Sequence, residues 1–358
     1  MSSFPEKERL DAAYDLRKPD RTPTIAGWIA DPGKIMALTG VTEDEYWADP
    51  IPISVRAYQI LEVDGILDVN VPGTRGTYTL YSHKDMQERA SYESPEVVKE
   101  EIEKLPSPEQ VYAEFDLEKE YQKRCADMKR MQALCGDHLY WSPAAWDVIP
   151  NFEWYRVWGY ENYLMTIALY REHIIRLFKY AGAVAHCQAQ VVARMVKEGL
   201  HPKAMLAGVD ICGRNGPMVA PGFLREHYFP LVKRAIEPLR EVGAKVVWHC
   251  DGDIRPILDD LLNLGLGGLQ GFQFEFGVRL EDIVERRTVD GEPLIIFGPI
   301  SVTRTLVQEK PEGVKRAVRE AIRICEGKAS LVLSTSNEIL PDVPLENMVA
   351  MYEAAREG

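Results

Sequence analysis

From residue 200 onward the chain alternates short apolar, β-branched segments with amphipathic helical stretches. This restricts it to a parallel sheet with helical crossovers. The segments 204–211, 244–250, 267–274, 293–298 and 329–336 read as strands, and "PGFLREHYFPLVKRAIEPLREVG", "IRPILDDLLNLG" and "PEGVKRAVREAIRICEG" between them read as helices, with glycine C-caps among them. Earlier in the chain 21–29, 64–71 and 137–143 have the look of buried or half-buried strands, which brings the count to eight. An open doubly wound sheet would more often carry a glycine-rich phosphate loop after its first strand, and no GxGxxG or GxxxxGK[ST] occurs. The expectation is therefore an α/β fold, a (β/α)8 TIM-type barrel forming one domain over 1–358.

The 358 residues suit such a barrel, which needs about 250 plus insertions. The surplus falls at about 72–135, an expected insertion with a hairpin through "VPGTRGTYTLYSH" and charged helices around "SPEVVKEEIEKL" and "FDLEKEYQKRCADMKRMQAL". It reads either as a lid or as a solvated helical decoration.

A net charge of -13 disfavours nucleic acid as a partner, because nucleic-acid binders gather Lys and Arg on one face. No apolar run approaches the roughly 20 residues that span a bilayer, and the charged N-terminus has no signal-peptide core. The expected location is the cytoplasm, without membrane attachment. The six cysteines are scattered with no CxxC pair and read as reduced thiols.

Active sites of such barrels lie at the C-terminal strand ends. The stretch "VVWHCDGD" ends one strand, and extended-chain alternation puts His249 and Asp251 on one face with Cys250 on the other. An imidazole and a carboxylate so placed suit Zn²⁺, whose catalytic sites commonly use three protein ligands and an open position. The competing structural role is a helix cap by Asp251 or Asp253. Neighbouring strand ends offer Asp210 and Cys212, then Gln273 and Glu275, and finally Ser336, Asn337 and Glu338. The aromatic run 138–164, with Tyr140, Trp141, Trp146, Trp154, Tyr155 and Trp158, either walls an apolar substrate pocket or packs the core.

The stretches "LRKPDRTPT", "GVDICGRNGPMVAPGFLREHYFP", "AKVVWHCDGDIRPILDDLLNLGLGGLQ" and "LSTSNEILPDVPLENMVAMYEAAREG" together resemble the uroporphyrinogen decarboxylase superfamily. The likeness covers the C-terminal half and the N-terminal lead-in, and implies an α/β barrel. True decarboxylases of this group follow the first strand with an arginine-rich segment that grips substrate carboxylates. Here "TIAGWIADPGKIM" offers Trp28 and Asp31 as substrate-binding candidates and no arginine pair. A decarboxylase of a pyrrole or aromatic acid is thus the alternative.

The corrinoid-linked methyltransferases, the other branch, are the better likeness. Those that methylate coenzyme M carry His-x-Cys and a distant Cys as zinc ligands, where this chain looks like it has His249, Asp251 and Asn337. The resemblance therefore implies a relative that removes a methyl group from a donor, such as an aromatic methyl ether or a methylamine-like compound. The methyl group would pass to a corrinoid-binding partner protein. Zinc on His249 and Asp251, with Asp210, Glu275 or Glu338 completing the shell, is implied as a Lewis acid. Without a metal, Glu338 or His249 would supply a proton. Asn337, Gln273, Glu275, Tyr140, Trp141 and Trp158 join Trp28 and Asp31 as candidates for the substrate pocket.

Overall fold

A computed structural model describes residues 4–72, 75, 94–272 and 274–357. The eight anticipated strands are all present, most of them shorter than the apolar segments that announce them. They are β1 (Ile25–Ala26), β2 (Gly65–Ile66), β3 (Tyr140–Trp141), β4 (Ala204–Gly208), β5 (Lys245–His249), β6 (Gly268–Gln270), β7 (Ile295–Ile300) and β8 (Ser330–Thr335). Strands β1 to β3 pair in parallel, as do β4 to β8, each in chain order. The two sheets meet at both edges. Thr24 bridges Leu333 in parallel beside β8, and just past β3 the Ala145 amide donates to the Leu206 carbonyl at 2.7 Å. Those two seams complete the ring expected of an eight-stranded α/β barrel.

Side chains pointing inward from the strands fill the barrel. Ile25, Leu67, Tyr140, Leu206, Val247, Ile295, Phe297 and Val332 form one buried cluster, closed by Phe4, Leu10 and Tyr14 of the N-terminal helix Pro5–Tyr14. That helix plugs the end of the barrel where the strands begin. There the "DRTPT" segment folds around Asp64, a fully buried carboxylate that accepts from Arg9, from both terminal nitrogens of Arg21 (3.1 and 2.8 Å) and from the Thr24 amide and hydroxyl (2.8 and 3.0 Å). A buried carboxylate is tolerable only with such complete pairing.

Of the expected insertion, the helices Pro95–Lys104, Pro108–Glu114 and Leu117–Cys135 are described, and they pack against the 27-residue helix Arg171–Lys197 that precedes β4. The hairpin expected through 71–83 lies almost wholly outside the described residues. No described helix is long and apolar enough to cross a membrane.

Candidate active site

Strands β4 and β5 deliver the chemistry. A Cβ on Gly208 would sit 2.3 Å from the His249 carbonyl oxygen, so only glycine lets β4 run this close to β5 at its end. Two residues later Asp210 faces His249, with 3.6 Å from the imidazole Nε2 to Oδ1. Asp251 follows on the same face, and potential ligand atoms of Asp210, His249 and Asp251 lie within 4.8 Å of one another. The Asp251 amide donates to Asp210 Oδ1 at 2.8 Å, and Asn337 Nδ2 donates to Asp251 Oδ2 at 2.6 Å. Asp251 Oδ1 is buried and has no hydrogen-bond partner. Burial, reinforced by Asp210, pushes the Asp251 carboxyl up to about 7. Burial opposes the charged form of His249, but Asp210 and Asp251 outweigh it and raise its basicity.

A second layer fixes this arrangement. Gln270, 2% exposed at the end of β6, donates through Nε2 to the carbonyls of Thr335 (3.1 Å) and Ser336 (2.8 Å). Its amide oxygen is thereby turned to His249 Nδ1, which must be the protonated nitrogen, leaving the Nε2 lone pair facing Asp210. Glu153 accepts from the Asp210 amide at 2.9 Å while pairing with Arg156 Nε at 2.8 Å. Burial and Asp210 raise the Glu153 pKa.

Aromatic rings wall the mouth. Trp28, just past β1, and Trp146, after β3, stack with centroids 6.1 Å apart, and both meet the His249 ring edge-on at 6.3 and 5.8 Å. Trp146 remains 37% exposed. The other aromatic candidates lie elsewhere: Tyr140 fills the barrel interior, whereas Trp141 and Trp158 are buried in the core between barrel and helices, Trp158 stacked on Trp154.

Among the polar candidates, Glu338 closes the β8 side of the mouth, accepting from Asn70 at 2.9 Å, and burial raises its pKa. Asp31 instead caps the helix Pro32–Thr39 by accepting from the Gly33 amide, and pairs with Lys34 at 2.9 Å. Glu275 takes hydrogen bonds from Ser301 and Thr303 on the loop after β7, and its Oε2 is buried without a partner. Gln273 is outside the described residues. Asp253 accepts from the Arg255 amide and guanidinium, and Cys250 is buried with its thiol turned to the Asp251 carbonyl.

A divalent cation suits the Asp210, His249 and Asp251 set. It would receive the fixed imidazole lone pair, satisfy the orphaned Asp251 Oδ1 and relieve the repulsion between two buried carboxylates. Sequence reasoning passed over Gln270, Glu153 and Arg156, and also Asp68, which lies near enough to Glu338 to act on its charge. The glycine following Gln270 was the available signal, because it ends β6 three residues before Gln273.

A family model described as uroporphyrinogen decarboxylase (URO-D) matches residues 162–358. A comparison with curated proteins gives no match. Among solved structures, a methyltransferase from Methanosarcina mazei is similar with 18% identity and a TM-score of 0.64, each chain being 99% covered. A putative vitamin-B12 independent methionine synthase from Listeria monocytogenes shows 13% identity and a TM-score of 0.47, with 94% of this chain and 96% of that one covered. At these identities the first likeness is one of fold.

Proposed function

The chain belongs to the uroporphyrinogen decarboxylase family, and from that premise we propose that it is a methyltransferase component, moving a methyl group from a small methyl donor to a corrinoid carried by a separate protein. The observation that carries this reading is the Asp210, His249 and Asp251 cluster, with its oriented imidazole and orphaned carboxylate oxygen, beneath an aromatic wall.

A zinc ion held by these three residues would supply Lewis acidity to the oxygen of a methyl ether. The need is electrostatic. When the methyl carbon–oxygen bond breaks, its electron pair stays on oxygen, and an alkoxide or phenolate leaves poorly without compensation. The protein's own groups prepare the step. Gln270 keeps His249 Nε2 available, Glu153 and Asn337 hold the two aspartates in position, and Trp28 with Trp146 covers the site with apolar surface. Glu338, its pKa raised by burial, is the group we assign to proton delivery toward the departing oxygen.

Charge weighs against a polyanionic pyrrole as substrate. It would meet Glu153, Asp210, Asp251 and Glu338, with Arg156 acting on Glu153, Asp210 and Glu338. The test is metal analysis with methyl-transfer assays on methoxylated aromatics and methylamines with corrinoid proteins. The reading expects roughly one zinc per chain, lost in His249→Ala together with transfer. A fully active metal-free enzyme would sink the zinc role, and absence of transfer to every corrinoid protein supplied would sink the transferase.

A further inference from the structure

Each carboxylate of the cluster divides its two oxygens between different tasks. On Asp251, Asn337 Nδ2 donates to Oδ2 at 2.6 Å, and Oδ1 is the buried atom without a partner. On Asp210, Oδ1 accepts from the Asp251 amide at 2.8 Å and lies 3.6 Å from His249 Nε2, with a second lone pair to spare. Oδ2 of Asp210 instead meets Arg156, 3.9 Å from Nη2. One oxygen of each aspartate therefore belongs to the cluster, and a donor or cation engages the other.

The connection after β3 enforces the division at Asp210. Glu153 Oε1 accepts from the Asp210 amide at 2.9 Å, the Tyr155 hydroxyl donates to its carbonyl at 3.3 Å, and Arg156 reaches its side chain. Arg156 is itself aimed, because its Nε pairs with Glu153 Oε2 at 2.8 Å, so the carboxylate that holds the Asp210 backbone also sets the guanidinium beside Oδ2. Tyr155 is buried and stacks on Tyr160 with centroids 4.2 Å apart. To present both oxygens to one metal, either aspartate would have to turn Oδ2 from its partner. That choice decides which ions the site suits. With one oxygen from each aspartate, the three residues fill three positions, as in catalytic zinc sites that keep a further one for water or substrate. With both oxygens from each they would fill five, an oxygen-rich shell that suits manganese or calcium.

We propose that Arg156 and Asn337 are positioning residues that hold Asp210 and Asp251 as one-oxygen ligands, thereby selecting an ion of low coordination number and keeping a position on it open to the methyl donor. This rests on reading the cluster as a metal site. It concerns the protein's own ligand atoms and is independent of which corrinoid protein accepts the methyl group.

The experiment loads the full chain with saturating Co²⁺, whose visible bands are intense when it is four-coordinate and weak when it is six-coordinate, and measures Zn²⁺ and Mn²⁺ affinities by chelator competition. The native protein should give the intense bands. Arg156→Met and Asn337→Leu, which remove the partner of one Oδ2 and keep its bulk, should each weaken the bands and lower the preference for zinc over manganese about tenfold. Arg156→Lys keeps a positive charge near Oδ2 and should fall between the native protein and Arg156→Met. Tyr155→Phe loses the bond to the Asp210 carbonyl but leaves both carboxylates with their partners, so it should change stability in urea without changing the bands. The Arg156 and Asn337 substitutions stand on different connections, so one that fails to fold leaves the other to decide. Weak bands in the native protein, or bands and metal preference unchanged in both variants, would overturn the inference. So would the same shift in Tyr155→Phe, which would trace it to displacement of the segment. Failure of the native protein to bind either Zn²⁺ or Co²⁺ would overturn the inference together with the metal reading. The expected shifts in a protein that transfers no methyl group would overturn the transferase reading alone.

Discussion

Replacing Gln270 with leucine tests whether the second layer sets the metal-binding state of His249. Gln270 is 2% exposed and its amide cannot flip, because Oε1 would then face the Thr335 and Ser336 carbonyls in place of two hydrogen bonds of 3.1 and 2.8 Å. The imidazole proton is therefore pinned on Nδ1. Leucine has similar bulk but no acceptor. The proton is then free to move to Nε2, where Asp210 Oδ1 at 3.6 Å offers a partner, and every zinc ion must displace it. Removing such a partner typically lowers metal affinity about 10- to 100-fold, or about 1.4 to 2.7 kcal/mol. The buried Nδ1–H and the two carbonyls left unpaired should also cost about 1–3 kcal/mol of stability. Chelator-competition titration of zinc reads the first quantity, urea unfolding the second, and ¹⁵N shifts of the His249 ring in the metal-free protein report the tautomer. An unchanged zinc affinity, in a variant that is destabilised as expected, would refute the claim that Gln270 acts on the metal through His249.

Other outcomes follow from the same geometry. Zinc loading should fall as pH drops through about 7, because Asp251 must be deprotonated to bind and burial holds its carboxyl near that value. Asn337→Leu removes a hydrogen bond that favours the carboxylate and should move the transition to higher pH, which affinity measurements between pH 6 and 8 would show or exclude. Asp64→Asn leaves Arg9 and Arg21 short of a carboxylate in a dry site and should cost about 3–5 kcal/mol in urea unfolding, with a loss under 1 kcal/mol counting against the network. Buried His201 is kept neutral, its pKa lowered by burial to about 4, so stability from this group is present above the unfolded value and lost as pH falls from about 6.5 to about 4. His201→Leu should remove about 3 kcal/mol of that acid sensitivity, and parallel stability–pH curves for the two proteins would contradict it.

The barrel was legible because a parallel sheet writes its strands as apolar runs separated by helical periodicity, and each of the eight runs overlaps a strand. The candidate metal cluster was legible in part, for period-two alternation puts His249 and Asp251 on one face, and Asp210 follows the end of the neighbouring strand. What periodicity could not convey is which inward face reaches the mouth. Tyr140 and Trp141 lie at one strand end, yet one fills the barrel interior and the other packs outward, while Trp146, after the strand has ended, meets His249. Asp31 was likewise ambiguous, because a carboxylate before Pro-Gly at a helix start is as natural a cap as a ligand, and it caps. Glu153 lies on an aromatic-rich connection that gives no local sign of its bond to the Asp210 amide.

The two aspartates of the cluster bear on what the proposed metal could do. In the proposed reading, aspartate at position 251 would offer the metal a hard ligand where the resemblance implies that thiol-methylating relatives carry a soft cysteine, and asparagine at 337 supports that aspartate by a hydrogen bond. A cation held by one imidazole and two carboxylates keeps more Lewis acidity for an oxygen atom than one quenched by thiolates.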